Sequence, residues 1–334
     1  MTYTTYKQAD KPTMYFIGVT TGKSSIMTVF PAWAQHLGLG EVQLWGMDFK
    51  QHDEPERYRE AVAFIKQDPL SLGALVTTHK LDVVKACRDL FDHFGPYAEK
   101  LREVSSISKR DDELWGHAKD PITAGLGLEA IIDDGYWKRT GGELLLFGAG
   151  GSSLATTMYL MNKTDPEQWP NAIHVTNRSQ PRLDEMRHIH AEINPGIPVT
   201  YHLCPKPELN DAILNEMPAG SVIVNATGLG KDAPGSPITF EAQWPQHSIA
   251  WEFNYRGELV FVDQAKAQPA AKNIRIEDGW VYFIHGWTRV IAEVFHIDIP
   301  TEGPPFDKLA DIAAEVTGRR VRDQSSVMSC QFGL

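Results

Sequence analysis

Three groups of residues in this sequence have types and spacing suited to chemistry. The first is Gly148, Gly150 and Gly151, followed by Ser152, in the stretch Glu143-Leu-Leu-Leu-Phe-Gly-Ala-Gly-Gly-Ser-Ser-Leu154. Glycines without side chains let a pyrophosphate approach backbone N–H groups, and a helix opening at Ser152 adds the partial positive charge of its N-terminus. The second is Asn177, Arg178, Ser179 and Arg182, which close the stretch Ala172-Ile-His-Val-Thr-Asn-Arg-Ser-Gln-Pro-Arg182. A site for NAD(H) ends this segment with an acid that accepts from the ribose hydroxyls, and none stands here. Arginine instead offers a planar fork of donors to a phosphate dianion, so the reading is NADP(H). The third is Lys80, directly after a strand-like run, and Asp120, at the end of another. When hydride leaves or arrives at a carbon some group must move the hydroxyl proton, which a lysine can do if it shares a proton with a neighbouring acid. Each group also has an ordinary reading. A glycine cluster is a common strand–helix turn, two arginines can simply open a solvated helix, and charged residues are frequent at strand ends.

The elements that must position these residues alternate between strand and helix. Leu144–Phe147 is an apolar run with the length of a buried strand, and Ser152 onward carries Leu154, Ala155 and Met158 at helical spacing. Strand, glycine turn and helix in that order are the context a dinucleotide phosphate site requires, although Ser153 stands where a strict G-x-G-x-x-G has its last glycine. Ile173–Thr176, Val199–Leu203, Ser221–Asn225, Ser248–Phe253 and Ile274–Ile276 read as further strands, with a helix over Leu259–Ala265. Upstream, Met14–Val19, Val42–Trp45 and Ala74–Thr77 read as strands, and helices follow through Phe30 to Leu37, Arg57 to Ile65 and Leu81 to Phe91. This alternation predicts an α/β chain with a parallel sheet, whose ligands lie beyond the carboxyl ends of the strands. Val104–Lys109 and Glu113–Gly116 read as two strands joined by a turn at Arg110–Asp112. Helices are expected over Pro121–Asp133, Gly286–Phe295 and Lys308–Val316, and the last residues as a mobile end.

Composition bounds the rest. The chain has 334 residues, enough for two domains, and 32 basic residues against 43 acidic give a formal charge of −11. An acidic surface disfavours nucleic acid and anionic membrane as partners, and no apolar run approaches the roughly 18 residues of a membrane span. The N-terminus lacks the apolar core of a signal peptide. Cys87, Cys204 and Cys330 are far apart and in no ligand spacing, which fits a reduced, cytoplasmic protein. No metal site is expected: the twelve histidines form no H-E-x-x-H, and His188 and His190, splayed two apart on a helix, read as surface residues. Oligomeric state stays open, a homodimer included.

Seven segments in order resemble the shikimate/quinate dehydrogenase superfamily over about residues 14 to 296. They are Gly18-Val-Thr-Thr-Gly-Lys-Ser-Ser-Ile-Met27 for the G-x-P-I-x-H-S-x-S-P start, Ala74-Leu-Val-Thr-Thr-His-Lys80 for N-V-T-x-P-x-K, and Gly116-His-Ala-Lys-Asp120 for G-x-N-T-D. The glycine loop, Asn177-Arg-Ser179, Asn225-Ala-Thr-Gly-Leu-Gly230 and Glu252-Phe-Asn-Tyr255 stand for G-A-G-G, N-R-T, N-A-T-x-x-G and D-x-x-Y. Glu103-Val-Ser-Ser106 lies near the position of G-A-x-N-T.

The resemblance implies an α/β substrate-binding domain, residues 1–122 completed by 286–334, and a Rossmann-type doubly wound NADP domain over 123–285. The active site would be the cleft between the two domains. It also implies that Lys80 and Asp120 are the catalytic pair, that Tyr255 closes on a small-molecule substrate, and that Thr227 lies in the cofactor loop. The substrate-binding set is largely rewritten. The first pocket serine falls on Ser24 but the second on Ile26, the N-V-T threonine on Val76 or, with a slip of one, on Thr77, and an asparagine on Ser105. The late glutamine has no counterpart, and Arg289 stands in its region. Two function classes remain: an NADP-dependent dehydrogenase of a cyclic polyol or hydroxy acid (shikimate or a related compound), and a non-catalytic NADP-binding sensor or regulator on the same scaffold.

Overall fold

The computed structural model describes residues 6–193, 196–231 and 233–319, so Cys330 and the expected mobile end lie outside the described residues. Contacts divide the chain into two units, one of residues 1–119 with 287–334 and the other of residues 120–286.

The first unit begins with β1 (Thr13–Gly18), α1 (Ile26–His36), β2 (Gln43–Asp48), α2 (Pro55–Gln67), β3 (Ser71–Val76), α3 (Lys80–Cys87), β4 (His93–Phe94), α4 (Pro96–Leu101), β5 (Ser106–Arg110) and β6 (Glu113–His117). Its sheet has the order β2-β1-β3-β5-β6-β4. All six residues of β1 are buried, as expected for a central strand covered on both faces. Tyr15, Ile17, Ala74, Val76, Ile107 and Leu114 share one core with Tyr58, Val62 and Ile65 of α2 and Val83 and Val84 of α3.

The sheet is mixed, which corrects the expectation of a parallel one: β5 runs antiparallel to both β3 and β6. The cause is local. Arg110 pairs with Glu113, so only Asp111 and Asp112 connect the strands, and a two-residue connection can join only antiparallel neighbours.

The second unit holds α5 (Asp120–Glu129), α6 (Tyr136–Thr140), β7 (Leu144–Phe147), α7 (Gly151–Met161), β8 (Ile173–Asn177), α8 (Gln180–Ile193), β9 (Val199–Leu203), α9 (Pro207–Asn215), β10 (Val222–Asn225), β11 (Ile249–Glu252), α10 (Val260–Lys266) and β12 (Arg275–Glu277). Its sheet, β12-β11-β10-β7-β8-β9, is parallel throughout. The chain runs outward from β7 to β9 and then returns to start again at β10. The strand order therefore reverses between β7 and β10, the doubly wound arrangement that binds dinucleotides at its switch point. Leu144, Leu146, Val175, Val222, Val224 and Trp251 face one buried core, and Leu145, Phe147, Ile223, Ala250 and Phe261 the other.

Two helices complete the chain, α11 (Trp280–Phe295) and α12 (Gly303–Thr317). Both start earlier than the sequence reading placed them. Asp278 accepts the Trp280 N–H at 3.0 Å and opens α11 there, and α12 carries proline in its first turn, where a missing N–H costs nothing. From Trp287 onward these helices belong to the first unit. Trp287 stands edge-on to Phe16 at 4.9 Å, and Trp33 Nε1 of α1 donates to the Leu309 carbonyl of α12 at 2.8 Å.

His190 is a second correction. It is buried, with Nε2 2.7 Å from Thr157 Oγ1 of α7 and Nδ1 2.6 Å from the Tyr201 hydroxyl of β9. Both neighbours lie outside its own helix, so helical spacing carried no sign of them. Burial holds its imidazole down at about 4. Below the ordinary value of about 6.5 the unfolded chain takes up a proton that the folded chain refuses. This contribution to stability is thus present above 6.5 and lost as pH falls toward 4, on the order of 3 kcal/mol in all. Urea unfolding at pH 7 and pH 4.5 should show a smaller pH-dependent loss for His190→Gln than for the parent chain. Equal losses would contradict the assignment.

Candidate functional site

In the second unit the glycine loop starts where β7 ends. Gly148 has φ +99°, a conformation that suits only glycine, and its N–H donates to the Thr176 carbonyl of β8 at 2.9 Å. A methyl group there would press on the Ala226 carbonyl and Thr227 Cγ2 at 3.2 Å each. Gly150 is the opposite case: a methyl there meets nothing within 4 Å, so open space lies before the N-terminus of α7. Gly151 opens that helix and Ser152 follows, and first-turn N–H groups have no acceptor within a helix. Ser153 is fully buried and its hydroxyl donates back to the Gly148 carbonyl. The serine in the fingerprint's last glycine position thus ties helix to loop.

Beyond the adjacent end of β8, Asn177 Nδ2 donates to the Ser179 carbonyl at 3.2 Å. Arg178 is exposed and pairs with no acid among the described residues. Arg182 makes a half-exposed pair with Glu185 at 2.8 Å, of the kind that contributes little and is readily given up to a stronger partner. No carboxylate closes the strand. Bare N–H groups with space before them, and a free guanidinium beyond the neighbouring strand, fit a dinucleotide with a phosphate on its adenosine ribose.

On the other side of β7, β10 ends at Asn225, whose Oδ1 accepts the Thr227 N–H at 3.1 Å and its hydroxyl at 2.6 Å. Thr227 is thereby held in a tight turn, and its Oγ1 accepts the Leu229 N–H at 3.2 Å. Tyr255 follows β11 and packs on Phe283 and Trp280, with ring centroids 4.6 and 5.6 Å apart. Sequence reasoning missed the buried hub between these loops, the Glu252 carboxylate held by Asn225 and Asn254. The acid in the Glu252-Phe-Asn-Tyr255 segment was the available signal, but its partner Asn225 lies on another strand.

In the first unit Lys80 is the first residue of α3, four residues past the end of β3. The turn that delivers it is strained. Thr78 sits at φ +59°, and the His79 N–H donates to the Thr77 carbonyl at 2.5 Å across it. This is a γ-turn of the rare hand, a strain that persists only where the surroundings fix it. They do: His79 is buried, its Nδ1 lies 2.8 Å from the Tyr58 hydroxyl, and its ring stands against Phe49. Burial depresses the His79 imidazole below its ordinary value.

Thr77 bonds β1 through the Ile17 carbonyl at 3.0 Å, and the Lys80 carbonyl accepts the Val104 N–H at 3.2 Å. Ser24 ends a short 3-10 turn after β1 and is half-buried, whereas Ile26 is fully buried. Ser105 is buried and its Oγ accepts the Lys119 N–H at 2.7 Å. Thr77, Lys80 and Ser105 are thus joined at one end of the sheet through β3 and the strand beside it. Arg289 is engaged elsewhere, its Nη2 donating to the Ile299 and Pro300 carbonyls.

Asp120 opens α5, and its carbonyl accepts the Thr123 hydroxyl at 3.1 Å. The residues leading to it are firmly held. Glu293 of α11 lies 3.1 Å from His117 Nε2, 2.6 Å from Lys119 Nζ and 2.9 Å from Arg110 Nη2. His117 and Lys119 hold its carboxyl well below the usual range.

The Gly148 geometry is testable. Gly148→Ala should lower stability by about 1–2 kcal/mol, through the strained φ and the contact with Ala226, a fall of a few degrees in melting temperature. Gly150→Ala, with open space around it, should change the melting temperature less. Calorimetry on the two variants reads the difference, and an equal effect would contradict it.

No protein-family model matches this chain. Over 149 residues it is 29% identical to the shikimate dehydrogenase (NADP(+)) of Methanosphaera stadtmanae, a match covering 43% of this chain and 47% of that protein. The match thus spans about half the length of this curated relative. Among solved structures, shikimate dehydrogenase from Aquifex aeolicus superposes with a TM-score of 0.69 at 17% identity, over 92% of this chain and 99% of that one. The ligand-free 5-ketofructose reductase of a Gluconobacter strain gives 0.64 at 14% identity, over 92% and 99%. The mixed sheet and the doubly wound parallel sheet described above make up the fold of these solved structures, and over part of its sequence the chain is similar to a shikimate dehydrogenase.

Proposed function

We propose that this chain is an NADP-dependent oxidoreductase of the shikimate dehydrogenase-like type. It interconverts a ring hydroxyl and a ketone on a small cyclic polyol or hydroxy acid, shikimate/3-dehydroshikimate or a related compound, in the cytoplasm. The observation that carries the reading is the unpaired Arg178 beyond β8, beside a glycine turn that leaves N–H groups open and with no acid to receive a ribose hydroxyl. The curated relative is named for using NADP(+), which supports the same choice. Gly148, Gly150, Gly151 and Ser152 would hold the pyrophosphate, Asn177, Arg178, Ser179 and Arg182 the 2′-phosphate, and Thr227 the remaining end. The bound cofactor supplies or accepts the hydride.

The chain's own residues move the proton. In oxidation Lys80 Nζ accepts the hydroxyl proton, and in reduction it returns one, while the Asp120 carboxylate orients that hydroxyl. Lys80 suits this role because the strained Thr78 turn and the His79–Tyr58 anchor set where α3 begins. Ser24, Thr77 and Tyr255 are the further substrate contacts in this reading. Ser105 and Arg289 bond backbone groups of their own unit, so a role for either in binding requires those bonds to be shared. Buried Ile26 offers no hydroxyl where a second serine would grip a carboxylate, which favours a substrate other than shikimate itself. The solved neighbour named for reducing 5-ketofructose supports a wider range of ketones on this fold.

Two experiments test the reading. NADPH consumption is followed with a panel of cyclic ketones, and Lys80→Met should lose about 10²–10⁴ in turnover on the best of them. Its NADP affinity should stay near that of the parent. Asp120→Asn should also slow turnover, with a rise in KM. Near-parental turnover in Lys80→Met would refute the mechanism, and NADPH binding without turnover on any ketone would make the chain a non-catalytic NADP-binding protein. For the cofactor, Arg178→Asp should weaken NADP relative to NAD by roughly tenfold or more, the worth of a charge-assisted bond of about 1.5–3 kcal/mol. Arg182→Ala should do less, since Arg182 already pairs with Glu185. A parent chain that prefers NAD would overturn this part.

A further inference from the structure

Glu252 is a carboxylate with no solvent exposure at the end of a central strand. Its Oε2 accepts Asn225 Nδ2 at 2.6 Å, and its Oε1 accepts the Asn254 N–H at 2.8 Å and Asn254 Nδ2 at 2.7 Å. Three donors converge on two oxygens. A proton on Oε1, which already accepts two donors, would set donor against donor, and three accepted hydrogen bonds favour the ionised form. The network continues outward. Asn225 Oδ1 holds Thr227, and Asn254 Nδ2 also reaches the carbonyls of Thr227 and Leu229 at 3.2 Å each. One buried charge thus couples the loop of Thr227 to the loop of Tyr255. In a doubly wound unit whose adenosine ribose lies at β8, the half built from β10, β11 and β12 takes the nicotinamide end.

We infer that ionised Glu252 is a positioning residue for the nicotinamide half of the dinucleotide site, holding the Thr227 and Tyr255 loops in their binding arrangement, and that its protonation loosens them. The inference rests on the NADP reading above. Burial pushes the Glu252 carboxyl up to about 7, against the lowering effect of the Asn254 and Asn225 donors and of Lys231, so its charge changes near neutral pH. Other charged groups on neighbouring elements are occupied differently. Asp263 and Lys266 of α10 are well exposed and lie 3.9 Å from each other, and Glu277 stands opposite Trp251 on the other face of the sheet, 3.1 Å from Arg275 Nε.

If the nicotinamide end binds only to the ionised form, its affinity is full above pH 7 and falls as pH drops below it. The test compares NADP+ with adenosine 2′-monophosphate, which carries the same 2′-phosphate but none of the nicotinamide half. Calorimetric titrations of the full chain at pH 8 and pH 6 give the ratio of the two dissociation constants, in which titration of the shared phosphate cancels. That ratio should rise about tenfold from pH 8 to pH 6. In Glu252→Gln it should be raised at both pH values and nearly flat, and Glu252→Asp should restore the dependence. A rise of less than about threefold in the parent chain, a measurement that needs no variant, overturns the inference while leaving the cofactor reading intact. A Glu252→Gln ratio that follows the parent does the same. Failure of both ligands to bind overturns the cofactor reading and the inference together.

Discussion

The second unit is organised around a missing side chain. Gly148 follows β7, bonds the end of β8 through the Thr176 carbonyl, and lies against the Ala226 carbonyl and the Thr227 side chain just past β10. Three strand ends converge on one residue at the point where the strand order reverses. Any Cβ there would strain the backbone and push on the loop after β10, so the close approach of the three ends is conditional on glycine. Ser153 then secures the arrangement from the helix side by bonding the Gly148 carbonyl. The open N–H groups of α7 are a by-product of this packing, because a chain turning so tightly from strand to helix has no side chain with which to cap them.

The first unit shows the complementary device, strain held in place by burial. Thr78 adopts a backbone conformation that threonine avoids, and the neighbouring His79 is clamped by Tyr58 and Phe49. The cost of the turn is of order 1–3 kcal/mol, and the surrounding core offsets it. Helix α3 begins two residues after Thr78, at Lys80, beyond the end of β3.

What could be read from the sequence was what is local in it. The apolar run Leu144–Phe147, the glycines after it and the acid-free end at Asn177–Arg178 occupy the strand ends that their order suggests, because each depends on residues a few positions away. The two-residue turn at Asp111–Asp112 was legible too, although its consequence, a mixed sheet, was not drawn. Hidden features join distant positions. His190 is buried because Thr157 and Tyr201 come from other elements. Glu252 is held by an asparagine 27 residues earlier, and Arg289 is turned toward carbonyls near the start of α12. A polar residue in a sequence carries no mark of whether its partner will be water or a buried group. These hubs therefore became visible only with the fold.

The division of the first unit between the two ends of the chain has a consequence for synthesis. Residues 120–286 form one continuous unit and can begin to fold as soon as they leave the ribosome. The first 119 residues cannot finish. The face of their sheet that carries Phe16 is covered by Trp287, and Trp33 completes its hydrogen bond only when Leu309 arrives, 276 residues later in the chain. At roughly 5–20 residues per second the nascent N-terminal sheet waits on the order of tens of seconds with that apolar face uncovered. A chain truncated before α11 would keep that exposure permanently, and one truncated before α12 would leave Trp33 Nε1 without its acceptor. The first unit is thus completed only by α11 and α12, so its sensitivity to interrupted translation lies far downstream of the strands at risk.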